Sequence, residues 1–259
     1  MSRTIDRNRD CLVLVHGALT DSTFWAPHRD RLAGDFDILT PTLRHFGGAA
    51  TGSFGLNTHA QDIADLLAGM PTVRRLFVAG WSYGADVVLN MLIRHAVPVT
   101  KACLYEPGYP GCLQNPQLEA WQSDANAMFG KVFELHAAGE HEQAVMALID
   151  GSGSRAGYFA DQPDSAKSLQ LSKAHTLAFQ LNATEQPAID VTGVANVRTP
   201  MAIAYGATTR SMFRLVAVQT ARASPLAELT EIPGAGHMWP QDNPDAFCAY
   251  IRRVMTQSG

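Results

Sequence analysis

The chain has 259 residues, 46% of them hydrophobic and 17% charged, with a formal net charge of −4. This suits one domain with a sizeable buried core, and the lack of a basic surplus argues against nucleic acid as a partner. The start, MSRTIDRNRD, is polar and the apolar run after it is far too short for export or membrane spanning, so no membrane partner and a cytoplasmic location are expected.

Short β-like runs alternate with helical stretches along the chain. Cys11 to Val15 reads as a buried strand that turns at His16-Gly17-Ala18, followed by a helix over 25–33 and a strand over 36–40 that Pro41 ends. After a Gly-rich loop over 46–55, residues 58–67 have helical periodicity with Thr58 as N-cap. The third strand, 75–80, runs straight into Trp81-Ser82-Tyr83-Gly84 and a helix over 85–95. Strands follow at 101–105, 200–205 and 226–232, and a last helix at 244–255. The alternation predicts an α/β architecture: a mostly parallel sheet flanked by helices.

Residues 110–198 break the alternation. They carry helical patterns over 118–135, 140–149 and 165–181 and no strand pattern. Placed between the fourth and fifth strands, they read as a helical cap over the carboxyl edge of the sheet, where open α/β sheets bind ligands. The expected division is a core of 1–109 with 199–259 and a cap of 110–198. The cysteines (Cys11, Cys103, Cys112, Cys248) have no metal-type spacing. Reduced core thiols are expected, and the inferred compartment argues against a Cys103 to Cys112 bridge.

Gly80-Trp81-Ser82-Tyr83-Gly84 fits G-x-S-x-G between an apolar strand and a helix. In that context Ser82 is the candidate nucleophile; the alternative is a tight turn whose serine caps the helix. A serine hydroxyl needs a base to take its proton. Of nine histidines, His237 lies in the glycine-bearing loop after the last strand and is the candidate base. His16 is expected to stabilise the first turn, while His45, His59, His95, His136 and His141 read as loop or helix-surface residues. An oxyanion needs two backbone N–H groups; Tyr83 is the candidate for one and Ala18 for the other, with Leu19 as its alternative.

A carboxylate should hold the imidazole. The segment after the 200–205 strand, GATTRSMFR, contains no Asp or Glu. Glu106, closing the preceding strand in Leu104-Tyr105-Glu106-Pro107, is the next candidate, with a rim salt bridge as its alternative role. Asp86 lies inside the elbow helix and is expected to point away, and Asp242 and Asp245 read as N-terminal residues of the last helix.

On the runs LVLVHGA from Leu12, GWSYG from Gly80 and GAGH from Gly234, the chain resembles the α/β-hydrolase superfamily over nearly its whole length. The resemblance implies the α/β-hydrolase fold, without two leading strands common in the superfamily. It is similar to compact methylesterase-like members in that short start. In placing a Glu after the strand that follows the nucleophile strand, it resembles a minority that includes the zearalenone lactonases, and bacterial proteins with an LYEP-type motif. The expected function is a serine hydrolase that cleaves a small-molecule carboxylic ester or lactone through an acyl-enzyme on Ser82, with no metal and no organic cofactor. The alternative is a non-hydrolytic member of the fold: a lyase, a cofactor-free oxygenase or a ligand receptor. Candidate pocket residues are Leu19, Trp81, Trp121, Phe129, His175 and Met238; among other cap aromatics (Phe133, Tyr158, Phe159, Phe179) and Met128, helix packing competes with that role. Association into a homodimer stays open.

Overall fold

The computed structural model describes residues 6–48 and 51–256; part of the expected Gly-rich loop, 49–50, lies outside them. The strands are β1 (Cys11–Val15), β2 (Asp37–Leu39), β3 (Leu76–Trp81), β4 (Lys101–Tyr105), β5 (Met201–Gly206) and β6 (Ala227–Ile232). They form one sheet in the order β2-β1-β3-β4-β5-β6, and every neighbouring pair is parallel. Trp81 pairs with Tyr105 and Tyr105 with Ala204, so β3, β4 and β5 end together at one edge.

The helices, in chain order, are α1 (Ala26–Leu32), α2 (Leu56–Ala68), α3 (Tyr83–Arg94), α4 (Gln117–Ala137), α5 (His141–Ser152), α6 (Tyr158–Asp161), α7 (Asp164–Ser172), α8 (Ala174–Leu181), α9 (Val191–Ala195), α10 (Ser211–Ala223), α11 (Trp239–Asp242) and α12 (Pro244–Thr256). The inner strands are apolar without a break because both of their faces are covered. Leu12, Leu14, Phe77 and Ala79 feed a core with Leu32 of α1 and Phe247 and Ile251 of α12. The alternate residues Val13, Val15, Val78 and Leu104 feed a second core with Ile63 of α2, Val88 of α3 and Ala217 of α10. All four cysteines are buried and free.

Residues 110–198, between β4 and β5, hold α4 to α9 and no strand. The helix expected over 165–181 is two helices, α7 and α8, which meet at Lys173. Lys173 is buried and its ammonium pairs with Asp21, 2.5 Å away in the loop after β1, so the break turns that cation toward a carboxylate that a straight helix run did not anticipate. Thr58 is not the cap of its helix. α2 starts at Leu56 after Gly55, and Glu185 reaches over to accept the N–H groups of Asn57 (2.7 Å) and Thr58 (3.1 Å). A carboxylate at a helix N-terminus satisfies free N–H groups and complements the dipole; here it comes from a residue more than a hundred positions away in the chain. Among the described residues no helix is long and apolar enough to cross a membrane.

Candidate active site

β3 runs into α3 through one residue, Ser82, whose backbone (φ 55°, ψ −124°) lies outside the regions that L-residues favour. The turn closes because its flanks lack side chains. A Cβ on Gly84 would collide with the carbonyl oxygens of Val15 and His16, and one on Gly80 with the Gly84 carbonyl. Backbone bonds fix the strain. Ser82 N–H donates to Tyr105 O (2.9 Å), and Ser82 O accepts from Ala85 N–H (2.8 Å).

The loop from β6 to α11 brings His237 to that serine. Successive carbonyls of the loop are each held by a group from the sheet edge. Ala235 O accepts the Thr208 N–H (2.9 Å) and hydroxyl (2.8 Å). Gly236 O accepts the Tyr105 hydroxyl (2.6 Å) and His237 O the Trp81 indole N–H (2.9 Å). Phe213 stacks on the imidazole with ring centroids 3.8 Å apart and planes 12° from parallel. So held, Nε2 lies 3.0 Å from Ser82 Oγ and Nδ1 lies 2.7 Å from Glu106 Oε2. A carboxylate accepts, so Nδ1 donates to it and Nε2 is left to accept the serine proton.

Glu106 is fully buried and bends the chain at φ 49° directly after β4. Its Oε1 accepts the Gly206 N–H (2.7 Å), and its Oε2 accepts the Thr209 hydroxyl (2.8 Å) besides the imidazole. A buried carboxylate is costly unless it is paired and hydrogen-bonded, and three donors converge on this one. The segment after β5 that contains no carboxylate supplies two of them.

A cavity of about 470 Å³ opens over Ser82 and His237, walled by the carboxyl edge of the sheet on one side and by α4, α5 and α8 on the other. Ala18 and Tyr83 line it, as do Leu19, Trp81, Trp121, Phe129 and Met238.

The sequence profile of the alpha/beta hydrolase family matches residues 12–250. The chain belongs to the alpha/beta hydrolase family. Among solved structures, an alpha/beta hydrolase from Sphaerobacter thermophilus is similar at TM-score 0.69, with 22% identity over 96% of this chain and 94% of that one. An enol-lactonase from Burkholderia xenovorans gives TM-score 0.70 and 18% identity over 98% and 95%. A thermophilic esterase from Thermogutta terrifontis gives 0.70 and 19% over 97% and 90%. At these identities the likeness is one of fold. No curated protein matches the sequence.

Within this alpha/beta hydrolase, several residues sit elsewhere than the sequence suggests. His175 does not line the cavity; it lies on the outer side of α8, with Nε2 donating to the His45 carbonyl at 3.0 Å. Phe133 is exposed, Phe179 stacks on Phe54 with centroids 5.6 Å apart, and Tyr158 and Phe159 pack into the core. His45 and His59 are buried, not surface residues. His59 donates from Nε2 to Arg44 O (3.1 Å), so its Nδ1 accepts the hydroxyl of Tyr83, the residue after Ser82 (2.8 Å). Burial drives its pKa down to about 4 and keeps it neutral. His16 is neutral for the same reason, also at about 4; it donates to Gly17 O (2.8 Å) and accepts the Leu43 N–H (3.0 Å), which fixes the turn after β1. Asp245 opens α12, but Asp242 ends α11, where it bonds the Tyr158 hydroxyl.

Asp86 is hydrogen-bonded to the 108–109 turn, and His237 to Ser82 and Glu106. Asp86 accepts the N–H groups of Gly108 and Tyr109, each at 3.1 Å, and it lines the cavity. Thr209, Phe213 and Asp86 are the site neighbours that pattern reading missed. Thr209 left one indirect mark, a turn without the acid expected there. Phe213 and Asp86 left none, because each becomes a neighbour of the site only through tertiary packing.

Proposed function

We propose that the protein is a serine hydrolase that cleaves a carboxylic ester or lactone by acyl transfer. The observation that carries the reading is the continuous hydrogen-bond chain Ser82–His237–Glu106, 3.0 and 2.7 Å, at the floor of a largely apolar cavity. In the proposed cycle, His237 Nε2 takes the Ser82 proton as Oγ attacks the carbonyl carbon. The imidazolium is stabilised by Glu106 and held in plane by Phe213. The C–O bond breaks, the leaving oxygen receives the proton from Nε2, and an acyl-enzyme remains. Water then repeats the sequence with His237 as base, releasing the acid and restoring Ser82.

The oxyanion is assigned to the amides of Tyr83 and Ala18. Tyr83 is the first residue of α3, where an N–H has no intrahelical partner, and Ala18, on the turn after β1, lines the same cavity. We read residues 110–198 as a cap on a core of 1–109 and 199–259. The mixed wall of the cavity and the cross-ties at Asp21, Glu185 and Asp242 support that division.

The decisive experiment combines fluorophosphonate labelling with p-nitrophenyl ester turnover. Wild type should label rapidly and release nitrophenol in a burst, and Ser82→Ala should do neither, losing on the order of 10⁴-fold or more in rate. Absence of labelling in wild type would reject acyl transfer. Labelling without turnover of any ester or lactone would favour a receptor or a lyase on the same fold.

A further inference from the structure

The cavity has one carboxylate whose hydrogen-bonding capacity neither acyl transfer nor the fold fully uses. Its ionisable lining residues are Asp86, Glu185, His237 and the tyrosines Tyr83 and Tyr109, and neither a lysine nor an arginine is among the described lining residues. Glu185 is engaged with the N-terminus of α2, and His237 with Ser82 and Glu106. Asp86 is different. It is 6% exposed and its hydrogen-bond partners are two backbone N–H groups. A carboxylate offers about four acceptor positions, so roughly half of its capacity is unspent. Two N–H groups need only a neutral acceptor, which asparagine would provide at a lower desolvation cost. That cost is visible: burial pushes the Asp86 carboxyl up to about 7 against the pull of both amides. The cavity lining also carries Trp121 Nε1, buried and without a hydrogen-bond partner among the described residues.

Asp86 stands four positions after Ser82, in the first turn of α3. Its backbone N–H donates to Ser82 O (3.2 Å), and both residues line the cavity. A substrate group a few bonds from the carbonyl attacked by Ser82 can therefore meet this carboxyl.

We propose that Asp86 is a specificity-determining residue that accepts a hydrogen bond from a hydroxyl or ammonium group of the substrate, close to the scissile carbonyl. The inference rests on the acyl-transfer reading above and narrows it: the substrate is mostly apolar but bears one hydrogen-bond donor and no free carboxylate. A carboxylate at that place would meet Asp86 and Glu185 with no cation in the lining to offset them.

The test uses methyl esters matched in shape: methyl β-hydroxybutyrate, methyl isovalerate with a methyl in place of the hydroxyl, methyl β-aminobutyrate, and monomethyl succinate. The readout is the ratio of kcat/KM values within each enzyme, for wild type, Asp86→Asn and Asp86→Leu, with fluorophosphonate labelling of Ser82 recorded beside it. Wild type should prefer the hydroxy and amino esters to isovalerate and react slowest with the succinate. Asp86→Leu should shift the hydroxyl-to-methyl ratio about tenfold toward methyl. Asp86→Asn, which keeps an acceptor for Gly108 and Tyr109, should keep part of the hydroxyl preference, lose the ammonium preference and raise the succinate rate. It carries the test alone if the leucine variant does not fold. Equal ratios in all labelled enzymes, with every rate lowered together, would mean that Asp86 only holds the 108–109 turn, and would overturn the proposal. An unlabelled wild type would instead overturn acyl transfer itself, and this inference with it.

Discussion

The turns after β4 and β5 leave the same sheet edge side by side, and they share one task unequally. The β4 turn holds Glu106, a long side chain on a strained backbone (φ 49°). The β5 turn contains no carboxylate, yet its Gly206 N–H and Thr209 hydroxyl both point at Glu106. In most of the superfamily that the chain resembles, the acid follows the second of these strands. The difference teaches that an imidazole constrains where a carboxylate oxygen ends up, not which strand delivers it. One strand is about 4.8 Å from the next, and a glutamate placed one strand nearer the nucleophile can bridge that offset. The β5 turn serves Glu106 as a donor. Buried charge and its hydrogen-bond partners have to move as a set.

The comparison breaks first at Glu106. Glu106→Gln should lower kcat on a p-nitrophenyl ester by about 10³–10⁴-fold while the fold persists, because the amide neither enforces the imidazole tautomer nor offsets the imidazolium charge. A rate near that of wild type would mean that the β4 turn is not where the acid resides. The next effect sharpens the point about address. Thr209 Oγ lies 2.8 Å from Glu106 Oε2, so a carboxylate at 209 enters the same small volume. Glu106→Ala combined with Thr209→Asp should recover roughly tenfold or more of the rate lost by Glu106→Ala alone. No recovery, with the double variant folded by circular dichroism, would show that strand address matters as well as position. A smaller effect comes from the donor alone. Thr209→Val removes one hydrogen bond to a buried charge, worth about 1.5–3 kcal/mol, and part of that loss falls on the transition state. About a tenfold fall in kcat is expected, with KM little changed; no change would leave Gly206 as the donor that matters.

Much of this arrangement is legible in the chain because it is imposed locally. Apolar strands covered on both faces read as unbroken runs, so β1, β3, β4 and β5 were expected within a residue or two of where they lie. Ser82 was visible because only glycine fits at positions 80 and 84. What stayed hidden depends on distant parts of the chain. Thr58 has the pattern of an N-cap, but Glu185 fills that role across the interface. The regular pattern over 165–181 hides a break at Lys173 whose partner, Asp21, follows the first strand. His59 lacks any sequence mark of its burial, because burial is decided by α2 packing against α3. His175 is a pocket candidate by its place in a cap helix, but it is exposed and bonds the His45 carbonyl from outside the cavity. Local sterics leave a signature in the sequence near the residue they constrain; a cross-chain hydrogen bond leaves half of one at each end.

The far end of the β5 turn offers the smallest test. α10 begins there with Arg210 as its N-cap and no capping bond from Arg210's own side chain. Asp124 of α4 substitutes: its carboxylate accepts the Met212 N–H (3.0 Å) and the Ser211 hydroxyl (3.1 Å) and pairs with the Arg210 guanidinium. One end of the turn is thus tied to the sheet-edge acid and the other to the helical segment above it. Asp124→Asn retains an acceptor for Met212 but gives up the charge that complements the helix dipole and Arg210, at a cost of about 1 kcal/mol. Thermal unfolding should register that as a drop of a few degrees, roughly 2–4 °C for a chain of this length. Ester turnover should stay within about twofold of wild type, since Gly206 and Thr209 are fixed from the other side by Glu106, and Thr208 between them by the Ala235 carbonyl. If kcat instead falls as far as in Thr209→Val, the placement of the donors is set from α4 as well as from the sheet. The turn after β5 would then be a joint through which the helical segment acts on the acid, and the contrast between the two turns would extend to what lies above them.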